Sequence, residues 1–579
     1  MTLPTAPAQG RAPDDAPHPA PDAARFRGAF RRDAAARGAY AEAAGIGQIV
    51  PRAVAVPTDP ADVQALVQWA AATGTPLVPR GSGSSMAGGA IGDGVILDVS
   101  RLRALAAPDL ATGRLFAQPG VLGAEVDARA RESGLRFPVD PSSWRFCTVG
   151  GMAAANAAGA HSLRHGAMRP WVTALDCVFA DGTRAVVRRG APPPDVPAVR
   201  RLLADVAPRV REAAARGVAL RRQVRKDSSG YALADWLATG ELVDLLVGSE
   251  GTLAVFVGVE LALAPVPGAT ASLLGAFPTL DQAVAAAVQA RDAGAAACEL
   301  LDRTFLDVAA RGSDAPGAGR RTGWRPPRGT EAVLLAEIEG RASVDAGDAA
   351  RRLRRTFEQA GAHEVVLALD PAAERLLWAL RHAASPILAR LDPSLKSMQF
   401  IEDGAVPPHR LADYVRGVRA ALARQQVRGV IFGHAGDGHV HVNPLVDVGD
   451  PSWRARVAGL LAEVTELAAS LGGTLAGEHG DGRLRTPLLA RTWPAEALAL
   501  FAATKRACDP AGILNPGVKV PIDGQEPLGA IKYDPALAPL APAARRALDH
   551  VAATRDYSAH RLALVDAEPP PVAPASAAH

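Results

Sequence analysis

The chain is predicted to be an α+β protein with two principal domains, on three observations. At 579 residues it is long enough to bury two or three separate cores. Strands and helices alternate from Arg52 to about Val266, and from Ala269 the pattern starts afresh. Two short segments rich in histidine and glycine, Phe432–Pro444 and Gly477–Arg483, lie late in the second unit.

The elements follow in order. Residues 1–24 are rich in proline and have little to bury, so a disordered tail is expected there. Arg52–Pro57 reads as a strand and Asp59–Thr73 as an amphipathic helix with Val63, Leu66, Val67 and Ala70 on one face. Thr75–Pro79 reads as a strand that runs into a glycine-rich loop, and Val95–Val99 as the next strand. The first domain is placed at residues 25–266. In the second, at 267–520, the pattern gives strands at Ser272–Ala276 and Ala332–Glu339, with helices at Leu280–Ala293 and Ala346–Ala360. Ser313–Gly329 reads as a surface insertion. Residues 521–579 form an extension with one expected helix, Ala541–Ala553, and a flexible proline-rich end.

Composition narrows the function. Hydrophobic residues make up 48% and aromatic residues only 4%, so the core must be mostly Ala, Val and Leu. The net charge of +3 is near balance and no basic stripe is interleaved with aromatics, which argues against nucleic acid as a partner. Cys147, Cys177, Cys298 and Cys508 form no CxxC pair. They suit a reducing compartment and argue against an iron–sulfur cluster held by this chain alone. No apolar run approaches the roughly 18–20 residues of a membrane-spanning helix. A cytoplasmic protein that does not span the membrane is therefore expected.

The segment FGHAGDGHVHVNP alternates polar and apolar residues after its Gly-Asp-Gly turn. As a strand it places His439, His441 and Asn443 on one face and Val440 and Val442 on the other. His434 precedes the turn and can fold back on that face, and GEHGDGR adds Glu478 and His479. Two neutral imidazoles and a carboxylate form an N₂O set that suits Zn²⁺, or another divalent metal, with a position left for substrate. The bland alternative is a glycine-rich hairpin with solvated histidines.

Four further segments bear on a second ligand. Pro79–Ala90 (PRGSGSSMAGGA) follows a strand, and its glycines let backbone N–H groups approach an anion such as a pyrophosphate. No long helix follows, so it is not the GxGxxG dinucleotide fingerprint. Asp140–Ser143 is a turn with two hydroxyls, Thr148–Gly159 a helix start of small residues, and Val247–Leu253 (VGSEGTL) a turn between apolar runs. With these segments in this order, residues from about Arg52 to Val520 resemble the FAD-linked oxidases of the vanillyl-alcohol-oxidase superfamily. The likeness is to their D-2-hydroxyacid dehydrogenases, the group of D-lactate dehydrogenase, the glycolate oxidase flavin subunit and D-2-hydroxyglutarate dehydrogenase.

The resemblance implies a PCMH-type FAD-binding domain of two subdomains followed by an α+β cap. It implies that Arg80, Gly81, Ser82, Gly83, Ser84, Ser85 and Gly88 wrap the FAD pyrophosphate. Pro141, Ser142, Gly150, Gly151, Asn156 and Gly159 would line the cofactor, as would Gly248, Glu250, Gly251 and Thr252. Asn515 would approach the isoalloxazine from the cap side. The loop Gly81–Gly89 has no His, so a non-covalent flavin is implied. His434, His441 and Glu478 match the family's metal ligands, Asn443 a substrate-orienting residue and His479 the base. His439 departs from the family, which usually has Asn there, and stands as a competing ligand or a support to the others.

Leu377–Pro386 reads as a helix with Arg381 and Ser385 on one face. In the family an Arg at this place pairs with the substrate carboxylate, and Ser385 and Lys396 complete that cluster. Lys226–Tyr231 (KDSSGY) resembles the KNxxGY segment of relatives with an added iron–sulfur half. The implied activity is oxidation of a D-2-hydroxyacid, of the D-lactate or D-2-hydroxyglutarate type, to the 2-oxoacid. Electrons would pass to an electron-transfer flavoprotein, a quinone, a cytochrome or a separate iron–sulfur subunit. The rival readings are a metal-dependent hydrolase with structural glycine loops and a flavin-binding subunit without catalysis. The sequence leaves a homodimer open.

Overall fold

The computed structural model describes residues 20–313, 324–381 and 394–567. The centre of the Ser313–Gly329 insertion, Ser385 and most of both predicted tails lie outside the described residues.

The first sheet has the order β1 (Ala29–Arg31), β2 (Ala53–Val56), β4 (Val95–Asp98), β3 (Leu77–Arg80), with β2, β4 and β3 parallel. A parallel sheet is covered on both faces, and its strands accordingly read as short apolar runs. Helix Pro60–Thr73 covers one face with Val63, Leu66, Val67 and Ala70, the four residues its periodicity marks. Asp59 caps that helix by accepting from the N–H groups of Ala61 and Asp62, and Gly74 ends it in the left-handed region at φ 66°.

The second sheet has the order β5 (Arg114–Ala117), β9 (Val255–Ala262), β7 (Val172–Val178), β8 (Arg184–Arg188) and is wholly antiparallel. The expected strand–helix alternation is therefore broken: no helix separates β3, β4 and β5, and a turn at Asp181–Gly182 folds β7 and β8 into a hairpin. A small pair joins β6 (Leu135–Arg136) and β10 (Ala264–Pro265).

The third sheet is the largest. Its order is β14 (Glu364–Ala368), β11 (Ala269–Phe277), β13 (Ala332–Gly340), β12 (Ala297–Asp302), β17 (Arg428–His434), β18 (His439–Asp447), β15 (Leu395–Ser397), with β16 (Gly404–Ala405) also paired to β18. Val440, Val442 and Ile431 face a core built with helices Leu280–Asp292, Ser343–Gln359, Leu411–Arg424 and Trp453–Ser470. Val430 and Leu445 face the opposite side, where helix Pro371–Arg381 covers part of the sheet and the first domain approaches the rest. The functional side chains lie on that second face.

Candidate active site

β17 and β18 pair antiparallel with Phe432 opposite His441, and residues 435–438 form the turn between them. The turn needs Gly438 at φ 71°, where a Cβ would sit 2.3 Å from the Val406 carbonyl. This hairpin brings His434 beside His441, with ring centroids 5.3 Å apart. Glu478 arrives from the chain after helix Trp453–Ser470. Its Oε1 lies 3.5 Å from His434 Nε2 and 3.4 Å from His441 Nε2. Ligands about 2.0–2.1 Å from a tetrahedral ion stand roughly 3.3–3.4 Å from one another, so this spacing fits a divalent cation.

The outer nitrogens are held. His434 Nδ1 lies 2.5 Å from Glu299 Oε1, and His441 Nδ1 donates to the Glu402 carbonyl at 3.1 Å. Each Nε2 is thus left to face the centre, the arrangement that fixes ring orientation at metal sites. Burial opposes ionisation of Glu478, but Lys226, 2.7 Å from Oε2, and His434 outweigh it and hold the carboxyl well below the usual range. The donor set and its supports fit a bound cation.

His439 is fully buried and its Nε2 lies 2.9 Å from Asp403 Oδ1. Its Nδ1 is buried without a hydrogen bond. Burial, only partly opposed by Asp403, pushes this imidazole down to about 4, so it is neutral. It belongs to the same cluster of donor atoms as His434, His441 and Glu478. Asp403 holds much else: it accepts from the backbone N–H groups of Glu478 and His479 and from Arg485 Nη1.

His479 is the most open of these histidines, its side chain 26% exposed, and its ring stacks on that of His441 at 5.4 Å and 11°. Its Nδ1 lies 3.2 Å from Glu402 Oε1 and its Nε2 3.8 Å from Glu478 Oε1. Burial lowers its basicity, but Asp403, Glu402 and Glu478 raise it to about 9. A divalent cation beside Glu478 would act in the opposite direction.

Arg381 ends its described helix with Nε 2.6 Å from Glu299 Oε2 and its guanidinium 4.6 Å above the Phe432 ring. Glu299 therefore joins the predicted carboxylate anchor to His434, a candidate metal ligand. Asn443 lies on the face of His441. Lys396 does not join them. It pairs with Val446, on the other face of β18, and its ammonium lies 5.9 Å from the Tyr533 ring. A substrate-binding role for Lys396 is corrected on that ground, since the sheet separates it from the histidines. Ser385 lies outside the described residues.

The glycine-rich segments also converge. Glu250 accepts from the N–H groups of Asp481 and Gly482 at 2.7 and 3.0 Å and pairs with Lys519 at 3.0 Å. Asn515 donates to the Gly89 and Glu250 carbonyls and accepts from Arg483. It is fully buried and braces these segments against one another.

Residues 51–188 match a family described as "FAD binding domain", and residues 266–518 match "FAD linked oxidases, C-terminal domain". A D-lactate dehydrogenase of Archaeoglobus fulgidus is 30% identical over 477 residues, which cover 81% of this chain and 92% of that one. The chain belongs to the FAD-linked oxidases. Glycolate oxidase subunit GlcD of Bacillus subtilis is 28% identical over 474 residues, 81% of this chain and 89% of that one. A D-2-hydroxyglutarate dehydrogenase of Xanthomonas citri pv. viticola is 28% identical over 477 residues, with the same coverage of 81% and 89%. Among solved structures, 4-ethylphenol oxidase from Gulosibacter chungangensis superposes with a TM-score of 0.63 at 17% identity, over 85% of this chain and 94% of that one, and shares the fold.

The flavin segments of this FAD-linked oxidase fit the cofactor on their own geometry. Six described non-glycine residues have positive φ, and three of them are Asn156, Glu250 and Asn515, all in the expected flavin framework. Strained backbone of this kind persists where surrounding structure requires it. Helix Val149–Ala155 turns Gly150 inward, where a Cβ would meet Pro119 at 2.4 Å, and leaves Gly151 exposed beside the half-buried Ala154 and Ala155. That is a flat face of small residues on which a planar ring can rest.

Lys226, Glu299, Glu402, Asp403 and Arg485 were not predicted as site residues. Lys226 lies in the KDSSGY segment, which offered a signal. Glu299 sits in Ala-Cys-Glu-Leu-Leu-Asp, a run that reads only as a buried strand.

Proposed function

We propose that this FAD-linked oxidase oxidises a D-2-hydroxyacid, of the D-lactate or D-2-hydroxyglutarate type, to the 2-oxoacid with the help of a divalent metal, for which Zn²⁺ suits the N₂O set. The observation that carries the reading is the convergence of His434 Nε2, His441 Nε2 and Glu478 Oε1, with Arg381 one carboxylate away through Glu299. A hydrolase needs the metal cluster but not the flavin framework, and a non-catalytic flavin subunit needs the reverse. The presence of both sets of segments, with Glu250 of the flavin set touching the N–H groups of Asp481 and Gly482 just beyond Glu478, supports the oxidase reading.

His434, His441 and Glu478 would hold the metal, and the segments Arg80–Gly89, Thr148–Gly159, Gly248–Thr252 and Asn515 would hold FAD. When bound, FAD supplies a two-electron acceptor and the metal a Lewis acid that favours loss of the hydroxyl proton. Arg381 anchors the substrate carboxylate, and Asn443, on the open face beside His441, orients the hydroxyacid. His479 takes the hydroxyl proton at Nε2, because Glu402 holds Nδ1 and fixes the ring. The final electron acceptor would be an electron-transfer flavoprotein, a quinone, a cytochrome or a separate iron–sulfur subunit. The four buried free thiols suit a reducing compartment, for which we take the cytoplasm. No helix among the described residues is long and apolar enough to cross a membrane.

Anaerobic bleaching of the flavin absorbance against a panel of D- and L-2-hydroxyacids tests the proposal. D-lactate or D-2-hydroxyglutarate should bleach it and the L-enantiomers should not. A flavin that no member of the panel reduces would sink the reading.

A further inference from the structure

The family match ends at residue 518, and the chain beyond it folds back on the first sheet. From helices Pro542–Thr554 and Ala559–Asp566, Ala544 and Val565 enter the core formed by Tyr40, Val54, Val78 and Ile96. A Cβ on Gly38 would lie 2.7 Å from that of Ala544, so the helices are in close contact. Arg31 closes the last helix, donating to the carbonyls of Leu564 at 3.2 Å and of Val565 and Ala567. The extension thus covers the face of the sheet opposite helix Pro60–Thr73.

Arg561 points from the last helix into the protein and is 1% exposed. Its Nη2 donates to the Ser82 carbonyl, inside the glycine-rich loop. Its guanidinium lies 5.2 Å from the Tyr40 ring, and so does that of Arg80. Arg80 donates to the carbonyls of Tyr40, Glu42 and Ala90. Among the described residues neither guanidinium has a carboxylate within ion-pair distance, and the Nε of each is buried without a hydrogen bond. Asp98 acts on Arg80 electrostatically, but its oxygens accept from Tyr40 and Ser100. Burial and the neighbouring Arg561 push Arg80 down to about 9. A packing role alone would be filled by Leu or Met without the penalty of a buried charge. Two buried cations without a carboxylate partner, beside a glycine-rich loop, form a place that an anion would complete.

We propose that the Ala559–Asp566 helix is part of the FAD site, with Arg561 a positioning residue that braces Arg80–Gly89 and, with Arg80, supplies the charge that a diphosphate neutralises. The inference rests on the FAD reading above and extends it to a segment outside both family matches.

The test uses the full chain stripped of flavin and titrated with FAD and with riboflavin, which lacks the phosphates, followed by flavin fluorescence. Arg561→Gln should lose roughly tenfold to a hundredfold in FAD affinity with riboflavin affinity unchanged, and Arg561→Lys should recover part of the loss. In the parent, amide exchange in the Ala559–Asp566 helix should slow on adding FAD and not on adding riboflavin, a readout that needs no variant to fold. Equal FAD affinity in parent and Arg561→Gln, equal losses for both flavins, or exchange indifferent to FAD would overturn the role of Arg561. A parent that takes up neither flavin would overturn the cofactor reading itself.

Discussion

Glu299 is where one residue does two things. One oxygen holds His434 Nδ1 and the other holds Arg381 Nε, and these two partners keep the buried carboxyl ionised far below its usual range. Glu299→Gln should therefore weaken metal binding by about 10–100-fold without removing a ligand. A competition titration against a chromophoric chelator measures this, and unchanged affinity would show that His434 orients itself. Arg381→Ala should mainly raise KM, since the carboxylate contact is made in ground and transition states alike. His479→Ala should instead slow flavin reduction at saturating substrate by on the order of 10²–10⁴. Metal content must be equal in the variant, because His479 adjoins Glu478, and a parental rate with metal retained would remove His479 from the mechanism. The clustering of His434, His441 and Glu478 was legible because histidine and glycine in short, matched segments are rare. Glu299 was not, because its role depends on β12 lying beside β17, a pairing across more than a hundred residues that no local pattern encodes.

At the scale of elements, periodicity was most legible where one face is buried. Val440 and Val442 enter the core and His441 faces the site, as alternation in β18 requires. The helix Ala559–Asp566 was missed beside the expected Ala541–Ala553, since eight residues with weak patterning carry too little signal. The contact between the domains was equally hidden. His161, at the start of the short helix Ser162–His165, has Nδ1 2.6 Å from Asp140 and Nε2 3.0 Å from Glu337 on β13, with its ring stacked on Trp378. Burial opposes protonation, but Asp140 and Glu337 raise this imidazole well above its ordinary value. A raised folded value stabilises the docked state fully below the unfolded value of about 6.5, and the gain is lost as pH rises through the folded value. His161→Gln should lower the melting temperature by on the order of 2–4 °C near pH 6 and by progressively less in alkali. A deficit that grows with pH would contradict this ion-pair account.

The whole molecule joins two sites drawn from separate stretches of chain. The proposed flavin framework comes mainly from Arg80–Gly89, Thr148–Gly159 and Gly248–Thr252, and the proposed metal donors from the hairpin β17–β18 and Glu478. The order of these motifs made both candidate sites legible, whereas the tie between them was not. Lys226, from the first domain, reaches Glu478 Oε2 at 2.7 Å, Ser228 Oγ donates to the Gly477 carbonyl at 2.9 Å, and the Gly230 N–H donates to Asp481 at 2.7 Å. Such contacts depend on how two independently built domains meet, which sequence periodicity does not describe. The division of donors has a consequence for metal removal. Since the proposed metal ligands are separate from the flavin segments, chelation should abolish hydroxyacid-dependent flavin reduction while the flavin stays bound. Elemental analysis, the absorbance of the retained flavin and its anaerobic bleaching by D-lactate or D-2-hydroxyglutarate measure the three quantities on one sample. Restoring Zn²⁺ should restore bleaching. Full activity in metal-free protein would reduce His434, His441 and Glu478 to a structural cluster, and loss of flavin with the metal would show that the two sites hold each other in place through the segment from Glu478 to Arg483.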